Sequence, residues 1–157
     1  MYRTCGCFVS ERRGLDRFQL GDHFLALAAA FALAIPIGWD RERRARSAGL
    51  RTFPLVALAS CGFVQASENL LVHSPDGMAK VIEGLITGIG FIGGGAILKQ
   101  GDSVQGTATA ASLWATGAIG VSVGLGSYDV AVTTAVFTFL TLRLLTLVKD
   151  EKDLKQD

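Results

Sequence analysis

The stretch Gly88 to Gly95, GIGFIGGG, decides the fold, because its first six letters satisfy the G-x-G-x-x-G spacing of a dinucleotide-binding loop while its surroundings refuse that reading. Such a loop works only where a strand ends in a tight glycine turn and a helix begins, so that backbone N–H groups face a pyrophosphate. Here VIEGLIT precedes the glycines and AILK follows them, so there is no strand to end. Nor does an acidic residue stand about twenty positions on to take a ribose hydroxyl. No nucleotide is expected. The glycines lie inside a long apolar segment, and the segment, not the motif, sets their role.

The rest of the chain has the same character. Half of its 157 residues are apolar, the mean hydropathy is +0.40, and the charged 18% are crowded into short runs. That is the composition of a membrane protein. With a formal net charge of +1 and no basic stripe, nucleic acid is not expected as a partner. The cysteines Cys5, Cys7 and Cys61 lack the spacing of a redox or zinc motif and read as ordinary thiols.

A search for uninterrupted apolar windows of about 17 to 25 residues yields five spans. They run from about Phe24 to Trp39, Thr52 to Val72, Val81 to Leu98, Thr107 to Gly126 and Asp129 to Val148. None alternates as a strand does, and an open strand cannot satisfy its backbone in lipid. The expected fold is therefore an all-α membrane protein with about five transmembrane helices. Pro36 should kink or terminate the first of them. The charged residues 1–20 lack a cleavable signal pattern; they read as a tail, upstream of the natural start or without a role. Residues 21–148 form the membrane domain, and 149–157 a short charged cytoplasmic tail. Lys and Arg concentrate after the first span (Arg41, Arg43, Arg44, Arg46, Arg51), after the third (Lys99) and at the C-terminus (Lys149, Lys152, Lys155). This asymmetry places the N-terminus outside and the C-terminus inside.

Inside a span, glycines at small-x-x-x-small spacing let another backbone approach closely. Gly84 with Gly88, and Gly90 with Gly94, have that spacing in the third span, as Gly120 and Gly124 do in the fourth. A tight contact between these two spans is the expectation. The alternative is an unwound stretch whose carbonyls bind a cation.

Two polar groups stand out. Glu68, Asp76, Glu83 and Asp129 fall near the outer surface by sequence position. They form a weak cation mouth whose oxygen chemistry would suit magnesium, or they simply mark helix ends in water. On the opposite side, Asp40-Arg41-Glu42-Arg43-Arg44 with Arg46 and Arg51 is a dense charged loop. It fixes topology, binds anionic headgroups or docks a protein partner. His23 and His73 stand at no ligand spacing, and no Gly-x-Ser-x-Gly or Walker pattern is present. No catalytic residues are assigned, and an enzyme is not expected.

Three features together resemble the membrane domain of the MgtC/SapB family of bacterial inner-membrane proteins. They are IGWDRERRARSAGLRTFPLVALAS from Ile37, GLITGIGFIGGGAILKQGDSVQGTATAASLWATGAIGVSVGLG from Gly84, and the spacing between them. The likeness runs from about Leu20 to Val148. It implies a multi-pass protein of the bacterial inner membrane, associated with growth in low magnesium and, in pathogens, with survival inside macrophages. One branch of the family is implicated in restraining the ATP synthase, which makes that complex a partner by resemblance, beside the lipid bilayer and a homo-oligomer. Magnesium is the only cofactor the resemblance raises, and it does not require one.

Carried over by motif are Asp40, Arg41, Glu42, Gly49, Leu50, Arg51 and Thr52, then Gly88, Gly90, Phe91, Gly93, Gly95, Thr109, Ala110, Ala111 and Trp114. The chain departs from the family in carrying Asp40 where Glu is usual, and in having only KDEKDLKQD after Val148 where a soluble domain commonly follows. The resulting expectation is a non-enzymatic role in magnesium or envelope homeostasis through membrane partners. The competing expectation is an oligomeric cation transporter or channel module.

Overall fold

The computed structural model describes residues 20–44, 48–71, 74–100 and 103–153. Its helices are α1 (Leu20–Arg43), α2 (Thr52–Leu71), α3 (Pro75–Gly95), α4 (Thr107–Gly124) and α5 (Tyr128–Asp153). A short antiparallel pair, β1 (Leu98–Gln100) and β2 (Ser103–Gln105), joins α3 to α4. The architecture is all-helical apart from that hairpin. Two helices, α1 and α3, are long and apolar enough by themselves to cross a membrane. Residues 1–19 of the charged tail, Arg46, Val72, His73 and residues 154–157 lie outside the described residues.

Small residues explain how the helices assemble. On α1 the buried positions Ala26, Ala30, Ala34 and Ile37 fall at helical spacing, forming a smooth stripe that packs on α2, α4 and α5. The central element is α4, which touches every other helix. It has no polar face, its residues being apolar or small hydroxyl-bearing on every side, although Ala111 and Trp114 are exposed. Leu113, Ile119 and Val123 supply its bulk, and Phe53 of α2 fills the space beneath.

Local signals set the helix ends. Ser74 caps α3: its hydroxyl accepts from the Gly77 N–H at 3.2 Å, with Pro75 at the first helical position, where a missing N–H costs nothing. Gly106 starts α4 with a φ of 90°. A Cβ there would run into the Ala96 carbonyl oxygen, so both conformation and space require glycine.

The ends of α1 and α3 differ from the sequence expectation, and α3 also begins at Pro75 rather than near Val81. α1 does not stop at Pro36 but continues to Arg43. Proline removes one backbone hydrogen bond, and Pro36 is exposed; the helix runs on for two further turns. α3 ends at Gly95, not Leu98, because the Ala96 and Ile97 N–H groups close tight turns onto Gly93 and Gly94 at 3.0 and 3.1 Å. The following residues, counted in the third span by hydropathy, pair instead as strand: Leu98 with Gln105, Lys99 with Val104 and Gln100 with Ser103. GIGFIGGG itself is helical throughout, which removes the unwound cation-binding stretch as an account of these glycines.

Candidate functional site at the arginine end of α1

The last turn of α1 carries Trp39-Asp40-Arg41-Glu42-Arg43, and the helical period turns Asp40 and Arg41 inward while Trp39, Glu42 and Arg43 face out. A buried carboxylate is tolerated only when paired, and Asp40, whose side chain is 5% exposed, is the hub of three guanidinium groups. Arg41, equally buried, donates to it from Nη2 and, at 3.2 Å, from Nε. Arg44 reaches it from the next turn, Nε to Oδ2 3.3 Å. Arg143 arrives from α5, its Nε 3.7 Å from Oδ1 while its side chain remains 54% exposed. One carboxylate thus fastens the ends of α1 and α5 together and leaves the cluster positive. Arg43 lies over the Trp39 ring at 5.1 Å, and Arg143 over Phe139 at 5.8 Å.

The AGLRT element docks on this turn. The Glu42 carboxylate accepts the Leu50 N–H at 3.0 Å, and the Gly49 carbonyl receives the N–H groups of Thr52 and Phe53 at 3.0 and 3.3 Å to open α2. A Cβ on Gly49 would strike the Glu42 carboxylate, and one on Gly38 would press on the Leu50 backbone at 3.2 Å. Both motif glycines are therefore places where backbone passes backbone. Replacing Glu42 with Ala should cost about 1 kcal/mol, the net value of one exposed hydrogen bond, and should loosen the turn at Leu50. Hydrogen exchange at the Leu50 amide measures it, with faster exchange expected in the variant.

The second motif divides between faces. Gly93 meets Ala110 of α4, its missing Cβ 3.4 Å from that carbonyl oxygen, and Gly117 leaves room for Ile89. Thr109 is buried, whereas Ala111, Phe91 at 86% and Trp114 at 52% are exposed. Gly84, Gly88, Gly90, Gly94 and Gly95 would meet nothing within 4 Å if given a Cβ. The paired glycine spacing on α3 therefore does not make the tight contact expected with α4. That contact runs through Gly93, Ile89 and Gly117, while Gly120 and Gly124 of α4 receive the backbone of α2 at Ala57 and Cys61. Spacing alone names a smooth face; it does not name the neighbour.

Inside the bundle stand hydroxyls to which motif reasoning assigned nothing. Ser60, Ser112 and Thr116 are buried. Ser112 Oγ donates to the Thr109 carbonyl at 2.9 Å and Thr116 Oγ1 to that of Ser112 at 2.8 Å, so each serves its own helix.

Glu68, Asp76, Glu83 and Asp129 are all exposed, and among the described residues no three His, Cys, Asp or Glu side chains come together as a metal site. The structure does not gather these four carboxylates into one cluster: Glu68 is on α2, Asp76 and Glu83 are two turns apart on α3, and Asp129 opens α5.

Comparison with known proteins agrees with the motif geometry. The MgtC family model matches residues 27–151. The chain is 38% identical over 121 residues to Protein MgtC of Salmonella typhimurium, covering 77% of this chain and 51% of that protein. It is 42% identical over 119 residues to Protein MgtC of Brucella abortus, covering 76% and 49%. The chain thus spans about half the length of these curated relatives. No solved structure matches. The matched region includes the Asp40 hub, the AGLRT turn docked on it and the glycine-bearing α3, and on that ground the chain belongs to the MgtC family.

Proposed function

We propose that the protein crosses the bacterial inner membrane with all five helices, N-terminus outside and C-terminus inside, and acts without catalysis in adaptation to low magnesium by binding other membrane components. The observation that carries this reading is the far face of α3. Gly90 and Gly94 have open space among the described residues where side chains would stand, although the helix is apolar enough to span a bilayer, and Phe91, in the same turn, is 86% exposed. Such a face suits close approach of a partner helix, either a second copy or a helix of a larger complex. The ATP synthase is the candidate by family resemblance. The arginine end, held to Asp40, lies on the cytoplasmic side under this orientation.

The test is growth of a deletion strain in low magnesium, restored by the intact gene. Gly94→Leu should insert and fold normally yet fail to restore growth; full restoration would count against the partner face. A cation path is the competing reading. Magnesium flux into liposomes bearing the purified protein, lost on joint Glu68→Gln and Glu83→Gln substitution, would establish that reading instead.

A further inference from the structure

Along the other side of α3, between it and α2, runs an open groove of about 620 Å³. Its walls are apolar: Leu55, Val56 and Phe63 from α2, and Val81, Leu85 and Ile92 from α3. Gly84 and Gly88 belong to the same wall. Their absent side chains leave the groove clear, since a Cβ at either would meet nothing within 4 Å. At one end, where α2 begins, the lining changes to Arg51 and Thr52.

Three properties define the occupant. The first is length. From Thr52 to Phe63 the groove follows α2 for about 16 Å at the helical rise of 1.5 Å per residue, about half the hydrocarbon thickness of roughly 30 Å. It is one leaflet deep. The second is charge. Arg41, Arg44 and Arg143 are engaged by Asp40 and Arg43 lies on Trp39. Arg51 is exposed, and among the described residues no carboxylate pairs with it, so the described groove ends on a cation. The third is access, for the groove lies open along its length rather than enclosed.

We propose that this groove is a phospholipid site: one acyl chain lies between α2 and α3, and the anionic headgroup is held by Arg51 with the Thr52 hydroxyl beside it. The inference rests on α2 and α3 spanning the bilayer with the arginine end in the cytoplasmic leaflet, where anionic lipids supply such headgroups. It gives Gly84 and Gly88 a role distinct from that of Gly90 and Gly94, which lie about 200° and 240° round the helix from Gly88 at 100° per residue. One side of α3 accepts a lipid chain and the other is left for a helix.

Native mass spectrometry of the detergent-purified full chain, with palmitoyl-oleoyl phosphatidylglycerol or phosphatidylcholine added in turn, tests the site. The wild type should retain phosphatidylglycerol in preference to phosphatidylcholine. Gly88→Leu, which fills the groove without touching the fold, should lose the lipid, whereas Gly90→Leu should keep it. Arg51→Gln should bind both lipids equally. Retention by Gly88→Leu equal to wild type, or equal loss in both leucine variants, would overturn the groove. An unchanged preference in Arg51→Gln would overturn the headgroup assignment. A dimer that Gly88→Leu dissociates would show that a second copy occupies the groove, which also overturns the proposal. Extraction from membranes without detergent would be a failure of the membrane reading itself and is scored separately by alkaline washing.

Discussion

Replacing Asp40 with Ala should lower stability by about 3–5 kcal/mol, the usual consequence of leaving a buried charge without its partner. Arg41 is the reason: its side chain is only 4% exposed and depends on the Asp40 carboxylate, while Arg44 and Arg143 lose the same anchor. Removing both charges is different in kind. Asp40→Ala combined with Arg41→Met should be considerably more stable than Asp40→Ala alone, because no uncompensated guanidinium remains. Equilibrium unfolding in mixed micelles, followed by helical circular dichroism, gives both values. A harmless Asp40→Ala, or a double variant worse than the single one, would mean that Arg41 reaches water and that the hub does not hold α1 to α5.

The second large effect belongs to Gly120. A Cβ there would enter the Ala57 carbonyl oxygen and stand 2.8 Å from the Ser60 Cβ and 2.9 Å from the Ala57 carbonyl carbon. Backbone cannot move aside as a side chain can, so α2 and α4 must separate. Gly120→Ala should cost at least the 1–3 kcal/mol or so typical of overpacking, and Gly120→Leu should cost more. Gly117→Ala meets mainly the tip of Ile89, a flexible side chain, and should cost less. Gly90→Ala has open space and should stabilise by about 0.5–1 kcal/mol, the helix-interior difference between the two residues. The same unfolding experiment ranks the three. If Gly120→Ala were the mildest, the α2–α4 contact would not be the closest in the bundle.

These rankings show why glycine spacing was only partly readable. Small-x-x-x-small marks Gly84, Gly88, Gly90, Gly94, Gly120 and Gly124 alike, since spacing reports a smooth strip on one helix. Whether another backbone lies on that strip depends on how the helices are arranged. Gly120 and Gly124 receive α2, whereas a Cβ on any of the four on α3 would meet nothing within 4 Å among the described residues. The carboxylates show the same limit. Glu68, Asp76, Glu83 and Asp129 share a side by sequence position, yet among the described residues no three of them come together.

The hairpin illustrates a different limit. Gly101-Asp102 between two short polar-flanked segments is a turn signal, but hydropathy extended the third span through Leu98 and hid it. Pro36 shows a limit of another kind: proline was expected to kink or terminate the first span, and α1 is not terminated there but runs on to Arg43.

What the sequence by itself determined is the helical character of the chain and the number of helices, with their ends placed to within about six residues. It also determined family membership through two motifs. Those properties follow from local forces: apolar length, backbone self-satisfaction, and capping residues such as Ser74. Only the tertiary structure decided that Asp40 gathers arginines from two helices, that α4 stands at the centre, and that α3 presents one clear groove and one bare face. These depend on which side of each helix meets which neighbour. Helical periodicity groups residues into faces, and the packing of the whole bundle assigns each face its neighbour.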